Sequence, residues 1–247
     1  MLAERFGNAP AFDGTVAGCR ANLAESGVKA VLNLPVATKP EQVDSINHWA
    51  AENNSFPIYS LGTVHPDLPD LPGALAKIKE LGLKGIKLHP EYQLFTLEDP
   101  RMEPVWETCR ELGLLVMLHA GGERVFSPPY HTSPATIAAF IERYPDLRVA
   151  AAHMGGFNMW DESERELIGK PIYLDLSHTF DWTPDEQIVR MARAHGIDRI
   201  LWGTDAPWQS PAHILKRFLA QPFTDEERRK ILWENTCGLL GLSPDIA

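Results

Sequence analysis

Five segments of this 247-residue chain end an apolar run on side chains that bind metals or carry protons. Lys87 and His89 close "GIKLHP", His119 closes "LLVMLHAGG" and His153 closes "RVAAAHMGG". Asp175, Ser177 and His178 lie in "IYLDLSHT", and Asp205 ends "ILWGTDAPW". One histidine at a strand end is ordinarily a hydrogen-bonded rim residue. Here His119 and His153 are each followed within two residues by a glycine pair, which lets backbone approach closely and leaves room for a ligand. Asp205 adds a carboxylate at the end of an apolar run, where burial is costly unless a cation or strong hydrogen bonds compensate it. His119, His153 and Asp205 are therefore expected to share a divalent metal. Two imidazoles and a carboxylate suit Zn most closely, with Mn or Fe as alternatives, and leave a position for water. Such water ionises near neutral pH, and His153 or Asp205 would be the catalytic group that takes its proton.

These groups need a scaffold that brings strand ends together. The phrases "ESGVKAVLNL", "ELGLKGIKLH", "ELGLLVMLHA" and "AHGIDRILWG" each set a glycine between an amphipathic segment and an apolar run. A helix that ends through a left-handed residue and hands over to a strand would have this pattern. "DLPGALAKIKE" and "DPRMEPVWETCRE" carry apolar residues at helical spacing, with proline near the start. The apolar runs are short and nearly continuous, as in parallel strands covered on both faces. They lie near 28–35, 57–64, 85–89, 114–119, 148–153, 171–176 and 200–204, at roughly the spacing of βαβ units. No linker divides the chain, and no strand leads into a GxGxxG turn. The expectation is an α/β fold, a TIM-like (β/α) barrel forming a single domain over residues 1–247. A helix from about Thr224 to Leu240, opened by a Thr224/Glu227 capping box, should close it.

With those residues in place, the chain resembles the amidohydrolase superfamily. The likeness is to its amidohydrolase 2 branch, which contains small metal-dependent hydrolases and aminocarboxymuconate-semialdehyde-type decarboxylases. The resemblance rests on "GIKLHP", "LLVMLHAGG", "VAAAHMGG", "ILWGTDAPW" and "ILWENTCGLLG" in that order. It implies a barrel with its site at the strand C-termini. His119 would be a metal ligand, His153 a ligand or catalytic base, and Asp205 a ligand that helps activate water. In the family-like "GIKLHP", Lys87 and His89 become candidate substrate contacts. The family opens with a strand carrying an HxH pair, and no HxH occurs in this sequence. The first barrel strand is accordingly expected to be missing, through a shortened N-terminus or a protein that lacks it, with weakened metal binding as the consequence.

Elsewhere the plainer reading is preferred. Tyr130 and His131 belong to a connecting loop that could touch substrate, and Phe157 and Trp160 could wall the site. His48, His65, His195 and His213 are read as outside the constellation, and the cysteines, Trp182 and Trp233 as core filler. The 33 acidic against 23 basic side chains give a net charge of -10, which argues against nucleic acid and anionic membranes as partners. Three widely spaced cysteines and the lack of a long apolar span fit a cytoplasmic protein with a small-molecule substrate, and a homo-oligomer is compatible. The leading expectation is hydrolysis of an amide, ester or lactone-like bond by metal-activated water. The alternatives are a metal-dependent non-oxidative decarboxylase and a catalytically silent barrel without metal.

Overall fold

The computed structural model describes residues 10–246. Each expected apolar run contains a strand: β1 (Val31–Asn33), β2 (Ile58–Ser60), β3 (Gly85–Leu88), β4 (Leu115–Leu118), β5 (Val149–Ala151), β6 (Tyr173–Asp175) and β7 (Ile200–Leu201). All pair in parallel and in chain order, as a β1–β2 ladder and a five-stranded sheet from β3 to β7. A bridge between Gly62 and Ile86 joins the two. The β2 ladder stops there because side chains replace strand partners. Asn47 bonds both the N–H and the carbonyl of Thr63, at 2.8 and 3.0 Å, and Gln93 donates to Val64 O at 2.7 Å. Among the described residues no ladder joins β7 to β1. The expectation of a missing first strand concerns what precedes β1, and residues 1–9 lie outside the described ones.

Helix α1 (Val16–Ser26) precedes β1, and one helix follows each strand on the outside: α2 (Val43–Glu52), α3 (Leu71–Glu80), α4 (Glu103–Leu112), α5 (Pro134–Arg143), α6 (Trp160–Glu166), α7 (Asp185–His195) and α8 (Pro211–Leu219). The glycine stops are where the sequence puts them: Gly27, Gly82, Gly113 and Gly196 all have positive φ. Gly196, at φ 104 and ψ 113, lies outside the left-handed helical well and turns the chain more openly than the other three. The closing helix begins on the expected capping box, with Glu227 N–H donating to Thr224 Oγ1 and Thr224 N–H to Glu227. It is not continuous. After α9 (Asp225–Arg229) comes a π-helical turn over Lys230–Glu234, then α10 (Asn235–Leu240). Across this turn Ile231 O accepts from Trp202 N–H, and Asn235 donates to Ile197 O and Ile200 O, tying the helix to β7. Among the described residues no helix is long and apolar enough to cross a membrane.

Strand alternation divides the core. Ile86, Leu88, Val116 and Leu118 face outward into the helix layer with Trp106 and Phe140. Leu61, Leu115, Met117, Ala150, Ala152 and Leu201 face inward, joined by Leu239 and Leu240 of α10. Arg148, just ahead of β5, donates to Leu239 O, so α10 closes the end from which the strands start. The other end is left for chemistry.

Candidate active site and metal centre

Lys87 occupies the inward register of β3, opposite Met117, and is buried. His89, His119 and His153 follow at the ends of β3, β4 and β5 and are buried as well. The glycine pairs explain how the histidines meet. Gly121 has φ +84, and a Cβ there would lie 2.2 Å from Phe157 N. That contact lets Phe157 N–H donate to Ala120 O at 2.9 Å and Gly122 N–H to Phe157 O at 2.8 Å, stitching the loops after β4 and β5 together. His119 and His153 are thereby brought edge to face, with Nδ1 of His119 3.2 Å from Nε2 of His153.

His153 is fixed by the strand beyond it. Its N–H donates to Asp175 Oδ1 at 3.0 Å, and its Nδ1 faces the carbonyl and hydroxyl of Ser177 at 3.1 and 2.9 Å. Ser177 Oγ donates to Asp175, so the His153 proton sits on Nδ1 and its Nε2 is a lone pair. His119 Nε2 lies 3.2 Å from Gly122 O. Both nitrogens of His119 therefore face acceptors. Burial lowers the His119 pKa well below the ordinary histidine range, and His89, His153 and Lys87 push the same way. Burial also lowers His153, against the pull of Asp205 and Asp175. Neutral imidazoles with lone pairs turned inward are what a divalent cation requires, so the histidines present are suited to a divalent metal, and the three side chains that come within 4.8 Å of one another are His89, His119 and Glu123.

Asp205 differs from expectation. It is not buried: β7 ends at Leu201, and Asp205 follows in a loop at φ 53 with its side chain 43% exposed. Its oxygen pairs with His178 Nε2 at 3.1 Å. Desolvation would raise this carboxyl, but the His178 hydrogen bond and the charges of His153, His178 and Lys87 outweigh it and hold it at about 2. Lys87 is pushed down to about 8 by burial, against the attraction of Asp175 and Asp205.

A second cluster lies on the β3 side. The His89 ring stacks on His119 and on Tyr92, both at 3.9 Å, and its Nε2 is 3.5 Å from Glu123 Oε2. Burial lowers His89 despite the Glu123 carboxylate. Desolvation would raise Glu123, but hydrogen bonds with His89, Arg124 N–H and Tyr92 keep it lowered. Sequence reasoning missed Glu123, which lies four residues past His119 beyond the glycine pair; loops carry no periodicity that would single it out. Asp175, Ser177 and His178 were visible as strand-end polar groups but had no assigned role.

The walls are aromatic. Phe157 packs edge-on against His153, His178 and Trp182. Trp182 is not core filler: it is 39% exposed at the rim, with the Arg124 guanidinium 4.6 Å above its ring. Trp160 packs on Phe157 and donates to His153 O. His131 is used as a clamp, its N–H donating to the buried Glu91 at 2.5 Å. Cys109 and Cys237 are buried, whereas Cys19 and Trp233 are only partly so.

Comparison with known proteins gives this geometry a lineage. The chain is 26% identical over 209 residues to 2-amino-3-carboxymuconate-6-semialdehyde decarboxylase of Dictyostelium discoideum, covering 68% of this chain and 56% of that protein's length. It is 24% identical to 4-sulfomuconolactone hydrolase of Hydrogenophaga intermedia, over 80% of this chain and 70% of the relative. Among solved structures, 5-carboxyvanillate decarboxylase of Novosphingobium aromaticivorans, complexed with manganese and 4-hydroxy-3-methoxy-5-nitrobenzoic acid, superposes with a TM-score of 0.73 at 16% identity. That match covers 91% of this chain and 79% of that one. A family model described as Amidohydrolase matches residues 4–242. With nearly its whole length inside that match and His89, His119 and His153 gathered at the strand C-termini, the chain belongs to the amidohydrolase family.

Proposed function

We propose that this protein is a metal-dependent, non-oxidative decarboxylase of a small unsaturated or aromatic carboxylic acid. One observation carries the reading: a buried cation, Lys87, lies close to the neutral imidazoles of His119 and His153, with the rings of Tyr92 and Phe157 packed against the same histidine cluster. A planar carboxylate would meet positive charge at one end and aromatic surface around its body. Decarboxylation named for the Dictyostelium relative and the Novosphingobium structure supports the same choice. A divalent cation at His119, backed by Asp205 or by His89 and Glu123, would supply charge that holds the substrate and withdraws electrons from it.

The remaining chemistry belongs to the chain. The bond between the carboxyl group and its carbon breaks, CO2 departs, and the electron pair left on that carbon must be protonated. His153 Nε2, a lone pair in the resting tautomer, takes up a proton from solvent water and delivers it to that carbon, so that one carboxylate and one proton give the protonated product and CO2. Asp205, held ionised, stabilises the transient imidazolium through space. Lys87 anchors the substrate as a cation within the barrel.

Hydrolysis is the second reading, favoured by the name of the Hydrogenophaga relative. Purified protein supplied with Mn2+ and a panel of hydroxybenzoic and carboxymuconic acids should release CO2, and Lys87→Met should abolish that release. Opening of lactones without CO2 release would replace the decarboxylase with a hydrolase; no turnover of either class would leave a silent barrel.

A further inference from the structure

His119 and His89 share a defect that hydrogen bonding within the protein does not repair. The two His119 nitrogens face Gly122 O and His153 Nε2, each at 3.2 Å, and both partners are acceptors. A neutral imidazole has one proton, so one of these contacts sets lone pair against lone pair. His89 is buried with Nε2 turned to Glu123, and its Nδ1 has no partner. Buried polar atoms are almost always satisfied. His89 and His119 are stacked on each other beside the Glu123 carboxylate, so one cation could answer both.

We propose that His89, His119 and Glu123 form a divalent-cation site at the barrel mouth, distinct from the expected set of His119, His153 and Asp205. One ligand atom from each of the three lies within 4.8 Å of the others. Asp205, by contrast, is engaged by His178 and partly in solvent. Two imidazoles and a carboxylate suit Zn2+, Mn2+ or Fe2+. The outer support is present. Tyr92 hydrogen-bonds Glu123 and stacks on His89, and the Gly121–Gly122 turn brings Glu123 back over the end of β4. Such second contacts orient ligands and raise affinity. Metal–nitrogen bonds of about 2.1 Å need ligand atoms roughly 3.4 Å apart in a tetrahedron. The His89 and His119 rings, now within 10° of parallel, must therefore turn as the ion enters. The site does not depend on which bond the enzyme breaks.

Full-length protein stripped with a chelator and titrated with Mn2+ or Zn2+ by calorimetry, with elemental analysis, tests this without any substrate. The wild type should bind the ion. Glu123→Gln and His89→Asn, shown folded by circular dichroism, should each weaken binding by about tenfold or more, and Asp205→Asn should leave it unchanged. Loss of the ion in Asp205→Asn, full affinity in Glu123→Gln, or no binding by the wild type would overturn the site. Should the variants misfold, Mn2+ added to wild type should broaden the Tyr92 and His89 ring resonances by paramagnetic relaxation. Broadening confined to His178 and Trp182 would place the ion on the Asp205 side and refute the proposal.

Discussion

The two ends of the barrel grow from the same strands and share almost no chemistry. Below the polar rim, Leu61, Leu115 and Met117 meet Leu239 and Leu240 in an apolar plug. Where the strands end, the inward positions become His119, His153 and Asp175, with Lys87 just beneath. Backbone strain divides in the same way. Among the described residues, the non-glycine residues with positive φ are Leu94, His153, Met154, Asn158, His178, Asp181 and Asp205, and all of them follow the C-terminal end of a strand. Each left-handed residue costs on the order of 1–3 kcal/mol and persists only where its surroundings impose it. The plug supplies the stability that this rim consumes. Histidines tell the same story: His195, outside the rim, has both nitrogens paired, at 2.7 Å from Ile172 O and 3.2 Å from Gly169 N–H, whereas His89 Nδ1 has no partner and both His119 nitrogens face acceptors.

The contrast can be broken from either side, and the largest effect should come from the plug. Leu61→Ala leaves a cavity at a fully buried position and should cost about 2–5 kcal/mol in chemical denaturation. Turnover per folded molecule should remain close to normal. A large fall in turnover of the folded fraction would mean that the two ends are mechanically coupled.

At the rim the expected sign reverses. Lys87→Met replaces a buried ammonium with an apolar chain, so it should stabilise the protein at pH 7, on the order of 3 kcal/mol, while removing activity. Its pH dependence is specific. Folded Lys87 loses its proton near pH 8 and the unfolded residue near 10.5, so between these values the unfolded state binds more protons and the wild type gains stability as pH rises. The advantage of Lys87→Met should therefore be full below pH 8 and vanish by about 10.5. Denaturation of both proteins across that window measures it, and a difference that stays flat with pH would show Lys87 to be unperturbed.

Asp205→Asn sharpens the comparison within the rim. It keeps volume and fold but loses the anion that supports His153, so turnover should fall about 100-fold, near 2.7 kcal/mol, while the loss of the half-exposed pair with His178 lowers the melting temperature only slightly. Near-normal turnover would remove Asp205 from the mechanism. An equal loss of stability would make it a structural residue like those of the plug.

Much of this is legible in the sequence. Seven apolar runs became seven parallel strands because a strand buried on both faces must be apolar throughout, and four glycines mark turns that other residues enter only at a cost. Lys87, His89, His119 and His153 were placed at the correct end because residues at strand C-termini share one rim whatever the loops do. The family resemblance was legible for the same reason, resting on those strand ends in order. Asp205 is more exposed than its sequence suggests because "ILWGTDAPW" reads as one apolar run, while only Ile200 and Leu201 pair with a neighbouring strand.

The sequence by itself determined which elements form, their order, and which end carries polar groups, because strand alternation and helix stops are set by residues a few positions apart. Tertiary structure alone decided which polar groups meet. Glu123 reaches His89, 34 positions earlier in the chain, and His178 takes Asp205 as its partner because loops after different strands converge over one barrel mouth. Local sequence carries no period across such loops. Their close approach depends on contacts such as Gly121 against the Phe157 backbone, which exist only once β4 and β5 are side by side.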